Sequence, residues 1–300
     1  MNTSLESLVI PGRVKFVPGN GGLLKAVVTT LVSTAEVYLH GAHVAAFQKN
    51  GEAPLLYLSP TSYFDKTKPI RGGVPICYPW FGPRAGDAAH GFVRITEWTL
   101  TKTEVASDSS VTLYFSLPEL PGRPDWKHLR TEFIVNVGDR LTMELVSTNT
   151  SPDTSVEFEN CLHTYFHVGD IKDIAITGLQ GTFFFDNAAG GGGARKVEND
   201  PVLHITKETN RIYPDSTTTV GIHDASLGRT IVVEKLNSAS TVVWNPSTTQ
   251  LMPDLKPEEH KDFVCVESGN IKQNKLVLSP GQSTMLKVVL NSAPLPQRIF

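Results

Sequence analysis

The chain has 300 residues, of which 40% are hydrophobic and 19% are charged. This composition supports a sizeable buried core and excludes disorder as the main state, because disordered chains are poor in apolar residues and rich in charge. Lys and Arg (27) nearly balance Asp and Glu (30), and the net charge of −3 leaves no overall electrostatic signature of a nucleic-acid-binding or membrane-surface protein.

The three cysteines, Cys77, Cys161 and Cys265, lie far apart and match no zinc-binding spacing. The N-terminus lacks the basic and apolar regions of a secretory signal, and no segment is long and apolar enough to span a bilayer. We therefore expect a cytoplasmic protein, kept reduced, that has no membrane or nucleic-acid partner.

Short segments of β-type sequence recur along the whole chain, whereas long amphipathic helices and βαβ alternation are absent. Gly138-Asp139 separates two of these segments and predicts a hairpin turn. The sequence thus predicts an all-β fold, a large antiparallel β-sandwich or barrel. In chain order, the clearest predicted strands are Leu23–Val32, Ala35–His40, Val111–Leu117, Thr131–Val137, Arg140–Ser147, Thr230–Leu236, Thr241–Asn245, Asp262–Glu267 and Ser283–Leu290.

Residues 1–300 are predicted to form one domain, with a core from about 13 to 290 and a tail at each end, because large all-β domains often exceed 200 residues. Ala188–Ala194, which contains four consecutive glycines, predicts a flexible loop tip and not a linker. Ala293–Phe300 contains two prolines and is expected to be a loosely attached tail.

The first segment with chemical potential is Pro69–Arg94, which is rich in glycine, proline and aromatic residues. Arg71 precedes two glycines, and His90-Gly91 is followed by Arg94. Guanidinium groups beside glycine-rich backbone suit a phosphate or a carboxylate, because they form bidentate, charge-assisted hydrogen bonds. An exposed or ion-paired arginine is the alternative for each of them.

The second segment, Glu157–His167, carries His163 and His167 four positions apart. The zinc-protease pattern requires a glutamate directly after the first histidine, and Thr164 stands there instead. Metal binding is therefore not expected. A hydrogen-bonded core histidine is the simpler interpretation of each imidazole.

The third segment, Trp244–Gly269, ends with an apolar strand that reaches Glu267 just before Ser268-Gly269. A carboxylate at the mouth of a strand is well placed for a site, although a solvated glutamate is the simpler interpretation without a partner. An imidazole and a carboxylate together can act as acid and base near neutral pH, since their ordinary pKa values are about 6.5 and 4.3. The sequence alone does not show that His163 and Glu267 meet.

Together these segments resemble the hexose-6-phosphate mutarotases (glucose-6-phosphate 1-epimerases) of the aldose 1-epimerase superfamily. The resemblance covers most of the chain, and the motifs occur in the family's order: RGGVPICYPWFGPR at Arg71–Arg84, HGFVR at His90–Arg94, LHTYFHV at Leu162–Val168, KETNRIY at Lys207–Tyr213, WNP at Trp244–Pro246 and DFVCVESG at Asp262–Gly269. It implies a galactose-mutarotase-like β-sandwich, with His163 as the general acid and Glu267 as the general base.

The same resemblance implies that Arg71 and Arg94 bind the sugar phosphate and that His90 is a second imidazole in the pocket. Asn210 stands where the family normally has an aspartate that contacts a sugar hydroxyl. An amide can still accept a hydrogen bond there, and it can also donate one.

The resulting hypothesis is an isomerase that interconverts the α and β anomers of glucose 6-phosphate and related aldohexose 6-phosphates by ring opening and closure. It predicts no metal and no cofactor, a small-molecule sugar phosphate as the only partner, and a monomer. The alternatives are a free-hexose aldose 1-epimerase, a non-catalytic carbohydrate-binding protein, and a glycoside hydrolase, which would need a second suitably spaced carboxylate.

Overall fold

The protein is described by a computed structural model that covers residues 5–250 and 252–296. In chain order its strands are β1 Val14–Pro18, β2 Leu24–Thr29, β3 Ser33–Tyr38, β4 His43–Lys49, β5 Ile76–Cys77, β6 Thr99–Val105, β7 Val111–Ser116, β8 Leu129–Val137, β9 Leu141–Asn149, β10 Val156–Phe158, β11 Asn160–Leu162, β12 Tyr165–His167, β13 Ile174–Thr177, β14 Phe183–Asp186, β15 Ala194–Val197, β16 Thr209–Pro214, β17 Val220–Asp224, β18 Arg229–Leu236, β19 Ser240–Asn245, β20 Phe263–Asn270, β21 Leu276–Leu278 and β22 Ser283–Pro294.

The helices of this described part are all short 3₁₀ turns: Leu5–Leu8, Asn20–Gly22, Val93–Ile95, Pro124–Trp126, Ile171–Asp173, Pro257–Lys261 and Lys272–Asn274. Because the regular structure of these residues is otherwise all strand, the predicted all-β fold is confirmed. No helix within residues 5–250 and 252–296 has the length and hydropathy needed to cross a membrane.

Two eight-stranded antiparallel sheets make up most of the fold. The first, here called the site sheet, has the order β15-β14-β16-β19-β20-β11-β5, and β12 also pairs with β20. The second, the back sheet, has the order β13-β17-β18-β22-β9-β8-β7-β6. A four-stranded sheet, β1-β2-β3-β4, and the β10-β21 pair complete the architecture.

Strand β9 shows why the back sheet packs on one face only. Leu141, Met143 and Leu145 are buried, whereas the alternate residues Thr142 and Glu144 are partly exposed. The period of two that is visible in the sequence therefore becomes one apolar face and one solvent-facing face. The predicted hairpin at Gly138-Asp139 is confirmed, since it joins β8 to β9.

The site sheet differs from the back sheet because its central strand β20 is buried on both faces. Val264 and Val266 belong to the main core, whereas Phe263 and Cys265 belong to a second cluster with Trp244 and Tyr165. Since side chains alternate along a strand, Glu267 lies on the same face as Phe263 and Cys265. This second face carries the candidate site.

Two boundaries differ from the sequence prediction. Glu267 does not end its strand, because β20 continues to Asn270, and Gly269 lets the backbones approach closely: a Cβ there would lie 2.3 Å from the Asn160 carbonyl oxygen. At the C-terminus, Ala293 pairs with Thr230 at the end of β22, so this part of the expected tail belongs to the sheet. Residues 297–300 lie outside the described residues.

Candidate functional site

A cavity of about 430 Å³ opens on the second face of the site sheet. It contains His163, Glu267, Arg71, His90 and Asn210, which brings five of the six predicted site residues together. The rest of its lining is Phe81, Gly82, Pro83, Asn187, Ile212, Val242, Trp244, Gln250, Met252 and Lys272.

The strand register explains why His163 and Glu267 meet although they are far apart in the chain. β11 pairs Leu162 with Ser268, and β12 pairs Tyr165 with Cys265 in the same antiparallel register on β20. His163, between β11 and β12, therefore faces Glu267 across the strands. Its Nε2 lies 3.3 Å from Glu267 Oε1.

Aromatic rings fix the orientation of the His163 imidazole. The ring stacks on Tyr165 with a centroid distance of 4.9 Å and an interplanar angle of 14°. The edges of Trp244 and His90 lie against it, at centroid distances of 5.9 Å and 5.8 Å. Such packing holds a side chain in one rotamer, which is needed where a proton is transferred to a defined atom.

Burial changes the protonation of this pair from what reference values predict. It lowers the pKa of His163 well below 6.5, and the positive charges of Arg94 and Arg71 lower it further. Burial also raises the pKa of Glu267 well above 4.5. Both shifts favour a neutral imidazole beside a carboxylic acid in the free protein, whereas the ordinary pKa values of the two groups allow an imidazolium beside a carboxylate. The two states hold the same number of protons and differ only in where one proton lies.

Cys161 contacts the other oxygen of the same carboxyl group. Its Sγ lies 3.7 Å from Glu267 Oε2, and the thiol donates to that oxygen. This hydrogen bond lowers the pKa of Glu267 and so opposes part of the effect of burial. Each carboxyl oxygen of Glu267 therefore has its own neighbour, His163 on one side and Cys161 on the other.

His90 lines the cavity as a neutral hydrogen-bond donor. Burial, followed by the charges of Arg94, Arg71 and Lys272, lowers its pKa to about 3. Its Nδ1 accepts a 3.4 Å hydrogen bond from the Gly82 N–H. Because a neutral imidazole carries one proton, that proton lies on Nε2.

Arg71 lines the cavity but is already bound to a carboxylate. Its Nε and Nη2 each lie 3.2 Å from an oxygen of Asp254, and its Nη1 donates to the Tyr165 hydroxyl at 3.0 Å. The fork-to-fork contact fixes the guanidinium plane and neutralises much of its charge. The sequence reasoning did not identify Asp254 as this partner.

Arg94 does not join the others in the cavity lining. It lies in the 3₁₀ turn Val93–Ile95, and its Nη2 donates to the Ala89 carbonyl at 2.7 Å. Its charge nevertheless lowers the pKa of both His90 and His163. It does not line the cavity, but it lies close enough to act on the site electrostatically.

Asn210 lines the cavity from β16, in register with Trp244 on β19. The turns between β14 and β15 also reach the site, since Asn187 lies in the lining. His167, by contrast, directs its Nδ1 to the Asp262 carbonyl and is absent from the cavity.

Lys272 and Gln250 also line the cavity, and sequence reasoning missed both. Gln250 belongs to the third segment described above, and Lys272 lies three residues beyond its end. No spacing pattern singled them out, because Gln250 lies in a loop and Lys272 in a short 3₁₀ turn, and the path of both segments depends on tertiary contacts.

Sequence comparison places these features in a family. Residues 28–291 match the profile of the aldose 1-epimerase family. Over 242 residues the chain is 36% identical to a Salmonella typhimurium protein named "Putative glucose-6-phosphate 1-epimerase", covering 78% of this chain and 79% of that one. A protein of the same name from Escherichia coli is 34% identical over 251 residues, covering 81% and 82%.

Solved structures agree with this assignment. The crystal structure of a Salmonella typhimurium protein described as a "putative mutarotase" superposes with a TM-score of 0.87 at 29% identity, covering 95% of each chain. A galactose mutarotase-like protein from Clostridium acetobutylicum shares the fold, with a TM-score of 0.67 at 14% identity and coverage of 94% and 98%. The chain therefore belongs to the aldose 1-epimerase family and is an epimerase with a galactose-mutarotase-like fold.

Proposed function

We propose that this epimerase interconverts the α and β anomers of glucose 6-phosphate and of related aldohexose 6-phosphates. The observation that carries the proposal is the 3.3 Å contact between His163 Nε2 and Glu267 Oε1 in a cavity that also contains Arg71. The ring oxygen and the anomeric hydroxyl of a pyranose are bonded to the same carbon. An acid and a base that act on these two oxygens must therefore be close neighbours.

In the proposed reaction, the Glu267 carboxylate removes the proton of the anomeric hydroxyl while the His163 imidazolium protonates the ring oxygen. The bond between C1 and the ring oxygen breaks and leaves an open-chain aldehyde. Rotation about the C1–C2 bond presents the other face of the aldehyde. The ring then closes with the two roles reversed, which returns both groups to their starting state.

The anionic substrate favours the protonation state that this reaction needs. Arg94 and Arg71 lower the pKa of His163 by repelling the imidazolium. A bound phosphate offsets those positive charges, so the imidazole becomes more basic and takes the proton shared with Glu267. Substrate binding thereby converts the neutral pair into imidazolium and carboxylate.

The remaining predicted residues bind the substrate. Arg71 is proposed to present its guanidinium to the phosphate from a plane fixed by Asp254, and Arg94 contributes positive charge from outside the cavity lining. His90 donates from Nε2 to a sugar hydroxyl, and the amide of Asn210 contacts a second hydroxyl. The rings of Phe81 and Trp244 border the same cavity.

Exchange spectroscopy by NMR on glucose, galactose and mannose 6-phosphates, each beside its free sugar, tests the proposal. We expect exchange between anomers to be accelerated for the phosphorylated sugars and much less for the free ones. Equal acceleration of both would identify a free-hexose mutarotase. Binding without exchange would identify a carbohydrate-binding protein.

The setting in which the enzyme works is part of the same proposal. The three cysteines are buried and free. We propose a cytoplasmic monomer with no nucleic-acid or membrane partner, in keeping with the small net charge. Sedimentation of the purified chain tests the oligomeric state.

A further inference from the structure

The two basic residues in the described cavity lining, Arg71 and Lys272, differ in how their charges are compensated. Arg71 forms a two-point ion pair with Asp254. Lys272 forms no ion pair with a carboxylate of the described residues, and its Nζ donates only to the Phe81 carbonyl, at 3.2 Å. The uncompensated positive charge that lines the cavity is therefore the Lys272 ammonium.

The backbone around Lys272 is built to hold that ammonium at the cavity. One oxygen of Glu159 accepts from the Lys272 N–H, and the other accepts from the Phe81 N–H at 2.8 Å. Glu159 thus ties together the two loops that border the cavity. Lys272 has a φ of 56°, a left-handed conformation that is uncommon for residues other than glycine and that concentrates at functional sites.

The opposite loop leaves room for the amine. Gly82 has a φ of +83°, and a Cβ at this position would lie 3.3 Å from Lys272 Nζ. The Nζ also lies 5.8 Å from the centroid of the Phe81 ring. The Lys272 side chain therefore packs against the Phe81 ring, and its ammonium lies beside Gly82 at the cavity.

The positive charge of Lys272 is close enough to affect His90. Beyond the effect of burial, the charges of Arg94, Arg71 and Lys272 together lower the pKa of the His90 imidazole. A neutral hexose gains little from such an excess of positive charge. A phosphate carrying nearly two negative charges gains a great deal, because charge-assisted hydrogen bonds are stronger than neutral ones.

We propose that Lys272 binds the phosphate group of the substrate through its ammonium and sets the preference of the enzyme for phosphorylated over free hexoses. This inference rests on the proposed function and adds a specificity residue to it. Lys272 takes no part in the proton transfers at C1, so we expect its loss to affect a free sugar far less than a sugar phosphate.

The test compares Lys272→Met with Lys275→Gln as a matched control. Lys275 lies three residues away, and its Nζ is paired with Glu157 at 2.7 Å on the protein surface. For glucose 6-phosphate, we expect Lys272→Met to lower kcat/KM by about 10- to 100-fold, the value of a hydrogen bond between charged groups. We expect Lys275→Gln to change it less than twofold, and Lys272→Met to slow the anomerisation of free glucose far less than that of glucose 6-phosphate.

Two further measurements and one back-up variant complete the test. Lys272→Arg should retain most of the preference for the phosphorylated sugar, and inorganic phosphate should inhibit Lys272→Met more weakly than the wild type. If Lys272→Met folds poorly, Lys272→Gly removes the ammonium at a position whose φ suits glycine. Equal losses on both sugars, or no loss on either, would overturn the role of Lys272 while leaving the proposed function standing. A wild type that fails to exchange glucose 6-phosphate anomers would instead overturn the proposed function, and this inference with it.

Discussion

His163 and Glu267 face each other across one antiparallel ladder, with 3.3 Å between Nε2 and Oε1. The pairings on either side, Leu162 with Ser268 and Tyr165 with Cys265, share one register. The sheet that forms the core therefore also sets the geometry of the pair.

Removing either member of the pair should stop catalysis without unfolding the protein. Glu267→Gln preserves the volume and removes the base, and His163→Asn removes the acid. Each variant should lower kcat for glucose 6-phosphate by about 10²- to 10⁴-fold, the usual contribution of positioned acid–base catalysis. NMR exchange measures the rate and circular dichroism checks the fold. A variant with near-normal exchange would show that its residue has a different role.

The pH dependence should reveal the displaced pKa values. The active pair holds one proton, and activity is lost in acid when His163 takes up a second one. Because the pKa of His163 lies well below 6.5, this loss should occur well below pH 6.5. The loss in alkali occurs when the pair gives up its proton, above the ordinary carboxyl range, because the pKa of Glu267 is raised.

Both losses of activity can be measured as the rate of free-glucose anomerisation between pH 4 and 9, corrected for the uncatalysed reaction. They appear as the acid and alkaline limbs of the pH profile. Free glucose is the appropriate substrate here because a phosphate group titrates near pH 6 on its own. An acid limb centred at pH 6.5 would show that burial and the neighbouring positive charges do not lower the pKa of His163.

Cys161 should act as a positioning residue for Glu267. Cys161→Ala removes the donor to Oε2, which raises the pKa of Glu267 further and should lower kcat about 2- to 10-fold, as expected for one hydrogen bond. Cys161→Ser keeps a donor and should restore most of the rate. The alkaline limb of the pH profile should move upward in the alanine variant alone.

Cys265→Ala is the control for these changes, since Cys265 is equally buried on the same face but makes no hydrogen bond to Glu267 among the described residues. An identical loss of rate in Cys265→Ala and Cys161→Ala would indicate a packing defect instead of a lost donor.

Arg94 should contribute to phosphate binding through its charge. Arg94→Ala should weaken the binding of glucose 6-phosphate roughly tenfold, a typical effect of one partly buried charge, while the binding of glucose changes little. Arg84→Ala removes the same charge from the neighbouring loop, where Arg84 stacks on Trp80 at 4.4 Å, and should have a smaller effect. Titration calorimetry that finds equal losses for both sugars in Arg94→Ala would contradict the assignment.

Gly91 should be required to hold His90 in place. A Cβ at Gly91 would lie 1.8 Å from the Tyr78 carbonyl oxygen, and the φ of +77° is unfavourable for other residues. Gly91→Ala should therefore lower the free energy of unfolding by more than about 3 kcal/mol. Gly86→Ala, at a similar φ of +74° with nothing within 4 Å, should cost only about 1–2 kcal/mol.

Thermal and urea unfolding of the two variants measure this difference, and NMR exchange measures the accompanying activity. Equal destabilisation by the two substitutions would show that backbone conformation, and not the contact with Tyr78, limits position 91.

The fold class and five of the residues in the cavity could be predicted from the amino-acid sequence. Strands with alternating apolar residues, such as β9, are readable because their pattern repeats every two residues. The motifs around Arg71, His90, His163, Asn210 and Glu267 are readable because they are contiguous and resemble a family. The number of cysteines and the small net charge are likewise properties of composition.

The interactions between those residues depend on the folded chain and could not be predicted from the sequence. The folded chain shows that Glu267 is buried within its strand, that Asp254 binds Arg71, that Arg94 is not part of the cavity lining, and that Lys272 reaches the cavity. Burial also lowers the pKa of His163 and raises the pKa of Glu267, so both groups favour their neutral forms. Reference values do not predict these shifts, because burial depends on the fold. Contacts between distant segments depend on the register of the paired strands and on the conformation of the connecting loops. Both are set by the whole folded chain and not by any one segment of the sequence.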